Sequence, residues 1–96
     1  MVTEIFVFKI DPAEAQEFEN VYTEVVPVLR GQKGYRSDKL MRAIERPAEY
    51  ILAVEWDSID AHQAFIDSDA YPEMDGPFGR FVIEGKLAHY TTVASG

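Results

Sequence analysis

The chain has no cysteine, which excludes disulfides, thiolate metal sites and cysteine nucleophiles. Long apolar runs are missing too. Nothing approaches the ~18 residues of a membrane span, and Met1-Val2-Thr3-Glu4 lacks the basic head of a secretory signal. A cytoplasmic protein with no membrane partner is expected. Positive charge is scarce: nine Lys and Arg stand against seventeen Asp and Glu, a formal net charge of −8. Nucleic acid is not an expected partner, because phosphate binding draws on clustered bases. Glycine-rich phosphate loops, nucleophilic triads and paired catalytic carboxylates do not occur. Two isolated histidines make no metal-ligand pattern, so no metal is expected.

What remains is a folding composition, 47% apolar over 96 residues, read as a single domain spanning 1–96. Burial in so short a chain is marginal, and an oligomer that shares core would relieve it. The bases are unevenly placed, with Arg30, Lys33, Arg36, Lys39, Arg42 and Arg46 in one stretch. A solvated loop and strand would explain this; a rim that attracts an anionic small molecule is the alternative.

Val2 to Ile10 is rich in β-branched and aromatic residues and reads as a strand. Its apolar side chains fall at both parities, so both faces of the strand need cover. Asp11-Pro12-Ala13-Glu14 is a helix start in which Asp11 caps and Glu14 reaches back. Phe18, Val21, Tyr22, Val25 and Leu29 then recur at helical spacing. Pro27 is expected to kink that helix or end its regular part. Tyr35 to Ile44 reads as a second strand, Glu45-Arg46-Pro47-Ala48 as a turn, and Glu49 to Trp56 as a third strand in an antiparallel hairpin. Ser58 caps a second helix carrying Ile59, Ala61, Ala64, Phe65 and Ile66. Tyr71 to Gly79, broken by Pro72, Gly76 and Pro77, is expected to be irregular. Arg80 to Glu84 adds a helical turn, and Lys86 to Val93 is the last strand.

The order β-α-β-β-α-β defines a ferredoxin-like α+β fold, a four-stranded antiparallel sheet with its helices on one face. Helices on one face leave the other uncovered, yet the first and third strands are apolar on both. A homodimer packed sheet to sheet resolves the conflict.

Gly34-Tyr35-Arg36-Ser37, Tyr50-Ile51-Leu52-Ala53-Val54-Glu55-Trp56 and Asp57-Ser58-Ile59-Asp60-Ala61-His62-Gln63-Ala64-Phe65, followed by Ser68-Asp69, resemble the antibiotic biosynthesis monooxygenase family. The resemblance implies a dimeric α+β barrel with a cavity between sheet and helices in each subunit. Some members oxidise polycyclic phenols with molecular oxygen and no metal, flavin or haem; others degrade haem or act on quinols. The residues of the haem-degrading branch are replaced here by Ile5, Phe65 and Asp75, and loss of the iron-ligating imidazole at Asp75 argues against that reaction. Of the cofactor-free branch, the strand-end Trp is matched by Trp56, its strand Asn is replaced by Leu52, and a helix Tyr by His62. That chemistry removes a phenolic proton to give an electron-rich anion that reduces oxygen, which calls for a base and a dry aromatic pocket.

His62 is the natural acid–base candidate, with Trp56 as a stacking and N–H-donating wall; each is also explicable as packing. His89 points either into the cavity or across the dimer seam. Tyr71 and Phe65 are candidate substrate contacts, and Tyr35 and Tyr90 carry similar hydroxyl handles. Arg80, where family members place a flap, could clamp a phenolate or form a surface ion pair. The function expected is a cofactor-independent monooxygenase, a homodimer taking an aromatic small molecule. The alternative is a non-catalytic or stress-associated dimer that sequesters an apolar ligand, which Leu52 favours. A purely structural dimer with a filled cavity is a third reading.

Overall fold

Strands rich in β-branched and aromatic residues build the sheet. In the computed structural model, which describes residues 1–96, β1 spans Val2–Lys9, β2 Tyr35–Arg42, β3 Glu49–Trp56 and β4 Glu84–Tyr90. Three α-helices intervene: α1 over Ala15–Arg30, α2 over Ile59–Ile66 and α3 over Tyr71–Gly79. The strand order is β2-β3-β1-β4, with every neighbouring pair antiparallel. This is the ferredoxin-like arrangement.

Register decides which side chains meet the helices. Tyr50, Leu52, Val54 and Trp56 of β3 are buried, as are Glu4 and Phe8 of β1. Beneath the helices Phe8, Phe18 and Tyr50 pack with ring centroids 5.1–5.8 Å apart, and Phe78 stands edge-on to Phe18 at 5.3 Å. Losing one such buried ring costs about 3–5 kcal/mol. The opposite face carries Ile5, Val7, Ile51, Ala53 and Met41, and no element of the chain covers it.

Local chemistry explains the boundaries. Asp11 accepts from the backbone N–H of Ala13, capping a short 3₁₀ turn at Pro12–Glu14 before α1 begins at Ala15. Gly34, at φ +86°, joins α1 to β2; a Cβ there would lie 2.6 Å from that of Ala61, so only glycine lets the turn approach α2. β4 starts at Glu84 and stops at Tyr90, whose partner Thr3 lies near the end of β1, so Thr91 to Val93 have no ladder to join. β2 likewise stops at Arg42, short of Ile44, where the hairpin turn begins.

Three expectations need correction. Pro27 does not end α1, which runs to Arg30. It is exposed and removes one backbone donor, while buried Val26 and Leu29 hold the last turn to the core. Tyr71 to Gly79 is helical. Pro72 lies in the first turn, where no intrahelical N–H is needed, and Gly76 before Pro77 lacks the Cβ that would clash. Met74 and Phe78, one turn apart, anchor this helix in the core. Arg80 and Phe81 form a turn leading to β4, not a further helix.

Candidate active site

Glu4 lies in the middle of the sheet, between His89 of β4 and Val54 of β3. It shares parity with Phe6 and Phe8, so its carboxylate enters the layer between sheet and helices and is only 6% exposed. Trp56, at the end of β3, is fully buried and donates its indole N–H to Glu4 Oε1 at 3.0 Å. The Ser58 hydroxyl caps α2 through the Ala61 N–H, and the first turn then presents His62 to the same oxygen, with Nε2 at 3.2 Å. His62 Nδ1 lies 2.8 Å from His89 Nε2. The Trp56 and His62 rings stack 5.1 Å apart at 16°, and His89 stands edge-on to His62 at 5.0 Å.

These contacts dictate the protons when Glu4 is ionised. Oε1 accepts from both Trp56 and His62 Nε2–H, so His62 Nδ1 is the acceptor for His89 Nε2–H. Glu4 Oε2 has no partner within the chain, yet no buried polar side-chain atom is left unsatisfied, so this oxygen is open to the cavity. Burial raises the Glu4 pKa, and the Trp56 hydrogen bond works against that rise. Burial, followed by the charge of His89, lowers His62 to about 4. The neutral imidazole therefore prevails at pH 7.

The cavity that Glu4 and His62 enter has a volume of about 150 Å³. Phe6, Leu29, Leu52, Phe65, Met74 and Phe78 supply its apolar wall, and Tyr71 and Asp75 also line it. The Tyr71 hydroxyl donates to Asp75 at 3.3 Å; burial first, then Asp75, pushes its pKa up to about 12, so it stays protonated. A larger hollow of about 340 Å³ lies at the other end of β1, around Lys9, Glu49, Glu84 and Lys86. It is an open trough with two apolar lining residues, and Lys9 pairs with Glu84 there at 3.2 Å.

The structure brings Trp56, His62 and His89 into one network and sets Phe65 and Tyr71 on the cavity wall. His89 points inward, away from any seam on the opposite sheet face. Trp56 does not form the pocket surface: it lies behind His62 and Phe65 with its N–H committed to Glu4. Arg80 is not at the cavity; it pairs with Glu17 at 3.1 Å and lies over the Phe81 ring. Tyr35 hydrogen-bonds Asp38, and Tyr90 is exposed on the outer edge. The basic stretch forms no rim here. Arg30, Arg36 and Arg46 pair with Asp38, Asp57 and Glu49, and none of the six bases lines the cavity. The strand-one residues facing the cavity are Glu4 and Phe6; Ile5 faces the other side.

Glu4 is the residue that sequence reasoning missed. A lone carboxylate at the helix-facing parity of an apolar strand was the available signal.

A ferredoxin-like sheet whose helix-covered face holds a carboxylate–imidazole pair at an apolar cavity defines a small α+β protein. Residues 1–74 match the family model for antibiotic biosynthesis monooxygenase, and the chain belongs to that family. It is 33% identical over 82 residues to the uncharacterized protein YczJ of Bacillus subtilis, covering 84% of this chain and 86% of that one. It is 26% identical over 78 residues to the 42.8 kDa protein in the whiE locus of Streptomyces coelicolor, where the match spans 81% of this chain and 20% of that longer one. Among solved structures, a protein assigned to the same family from Bordetella bronchiseptica superposes with a TM-score of 0.90 at 26% identity, covering 97% of both chains. SnoaB, a cofactor-independent oxygenase from Streptomyces nogalater, superposes with a TM-score of 0.84 at 19% identity, covering 98% of this chain and 94% of that one. That last likeness is one of fold.

Proposed function

We propose that this protein is a homodimeric, cofactor-independent oxygenase acting on a phenolic or quinol-type aromatic. The observation that carries the reading is the buried Glu4–His62 pair opening into an apolar, aromatic-walled cavity. Glu4 Oε2 accepts the phenolic proton, and the ring anion left behind is electron-rich enough to reduce oxygen directly. Neutral His62, held by His89 and stacked on Trp56, donates to Oε1 and steadies the carboxylate as its charge changes. Phe65 and Tyr71 contact the ring. One oxygen atom enters the substrate and the other leaves as water, with all four electrons drawn from substrate bonds.

The half-buried apolar face of Ile5, Val7, Ile51 and Ala53 supports a second copy packed sheet to sheet. That seam lies on the side of the sheet away from the cavity, so each subunit keeps its own site.

Oxygen uptake by chelator-treated protein against phenols and reduced quinones tests the reading, with isotopically labelled dioxygen to follow the atoms. Uptake above autoxidation, with one labelled atom in the product, is expected. Uptake no faster than autoxidation, or product oxygen drawn from water, refutes it. Leu52 in the cavity wall favours a second reading, sequestration of an apolar ligand, which tight binding without oxygen uptake would select.

A further inference from the structure

We infer that His62 and His89 form a proton path joining Glu4 to water at the edge of the sheet, with His89 as its outer end. The part this path plays in turnover rests on the oxygenase reading of the same site; the path itself is read from geometry.

The two oxygens of Glu4 face different ways. Oε2 opens to the cavity, where a bound ligand covers it, and Oε1 accepts from Trp56 and His62. Trp56 carries no proton onward, because a buried indole donates but has no nitrogen lone pair with which to accept. At His62 the chain of contacts continues. Its Nδ1 meets His89 Nε2 at 2.8 Å, and His89 stands on β4, an edge strand. His89 is half-buried and does not line the cavity. Its Nδ1 has no partner within the chain, yet no buried polar side-chain atom is left unsatisfied, so this nitrogen meets solvent. The network therefore has one end in the cavity and the other in water outside it.

An imidazole can accept on one nitrogen as it donates from the other, so each ring passes a proton and ends neutral. From protonated Glu4, the Oε1–H proton moves to His62 Nε2, the His62 Nδ1–H proton to His89 Nε2, and the His89 Nδ1–H proton to water. Three bonds to hydrogen break and three form, leaving a carboxylate inside and the proton outside; the reverse sequence restores the acid. Neutral transfer suits His62. Burial, followed by the charge of His89, holds its pKa at about 4, which disfavours a standing imidazolium. The other ionisable groups lining the cavity, Tyr71 and Asp75 of α3, bond to each other at 3.3 Å and to neither histidine. In turnover the path lets Glu4 lose its proton and become a base after the ligand has covered Oε2.

The His62 Nε2–H proton reports on the path. It can pass to Glu4 only when Nδ1 gains a proton, and the group at Nδ1 is His89. Its exchange with water, followed by NMR saturation transfer on protein with isotope-labelled imidazoles, should be at least about tenfold slower in His89→Gln than in the wild type. The glutamine amide still donates to His62 but cannot hand a proton on. Loosened packing would speed exchange, so slowing is not the signature of structural damage. If that variant does not fold, His89→Ala should show the same slowing, reversed by added imidazole and not by N-methylimidazole, which lacks a second exchangeable nitrogen. Exchange as fast as wild type in a folded His89 variant overturns the path, and so does slowing in His89→Ala that imidazole fails to reverse. On a substrate found by oxygen uptake, kcat should fall about tenfold or more in His89→Gln with KM unchanged; an unchanged kcat refutes the part played in turnover. If exchange slows and no substrate consumes oxygen, the path stands and the oxygenase reading fails.

Discussion

Replacing Glu4 by glutamine should abolish most turnover while making the protein more stable. The carboxylate is 6% exposed and its pKa is raised by burial. In the folded state it therefore holds its proton to a higher pH than in the unfolded chain. Its contribution to stability is full below the unfolded pKa and falls as pH climbs toward the raised folded value, so at neutral pH the charge is a cost. Glutamine keeps the side-chain length and an oxygen to accept from Trp56 and His62 but carries no charge. Each kcal/mol of desolvation relieved raises Tm by about 4–8 °C in a domain of this size. The lost base should lower kcat by about 10²–10⁴-fold. In the wild type, turnover should rise with pH through the elevated Glu4 pKa, and Glu4→Gln should lose that limb. His62→Ala should also cost about 10²-fold, because Glu4 then loses a donor. Oxygen uptake and thermal unfolding of the same preparations provide the assay. Near wild-type turnover in Glu4→Gln refutes the role of this residue; an inactive variant with a lowered Tm refutes the account of a carboxylate retained at a cost in stability.

Two further predictions concern the frame around the site. Asp38, whose side chain is 4% exposed, accepts from Arg30, Tyr35 and Tyr22, and those bonds hold its pKa at about 2 against an ordinary 3.8. Its folded pKa is depressed, so its stabilisation is present above pH 3.8 and is lost as pH falls through about 2. Asp38→Asn should cost about 2 kcal/mol at neutral pH and nothing measurable below about pH 2, read by denaturant titration at both pH values. Ile51→Glu, on the uncovered sheet face, should convert the proposed dimer to a folded monomer in light scattering with circular dichroism unchanged; a monomeric wild type would refute the sheet-to-sheet packing.

The four strands, the first two helices and the uncovered apolar sheet face were legible in the sequence, because each rests on local periodicity. Val2 to Lys9 and Glu49 to Trp56 are rich in β-branched and aromatic residues at both parities, which marks strands that need cover on both faces, and Asp11 and Ser58 mark their helix starts by short-range capping. Strand ends were less legible, since a ladder stops where its partner stops. The third helix was hidden because Pro72, Gly76 and Pro77 outweigh any local propensity; only the burial of Met74 and Phe78 against α1 and the sheet pays for it.

The candidate site divides the same way. His62 and His89 could be named as chemically capable from residue type, and Trp56 from the family resemblance. Their partnership could not, because β1, β3, α2 and β4 meet only when the sheet closes in the order β2-β3-β1-β4. That closure brings Glu4 within hydrogen-bond reach of Trp56 and His62, more than fifty residues away in the chain. It also commits the Trp56 N–H to the carboxylate and leaves Arg80 on the far side of the helices. Composition and periodicity determined the fold and the covered and uncovered faces of this protein. Tertiary packing alone decided which polar side chains lose water together, and with that which of them acquire shifted pKa values and a shared cavity.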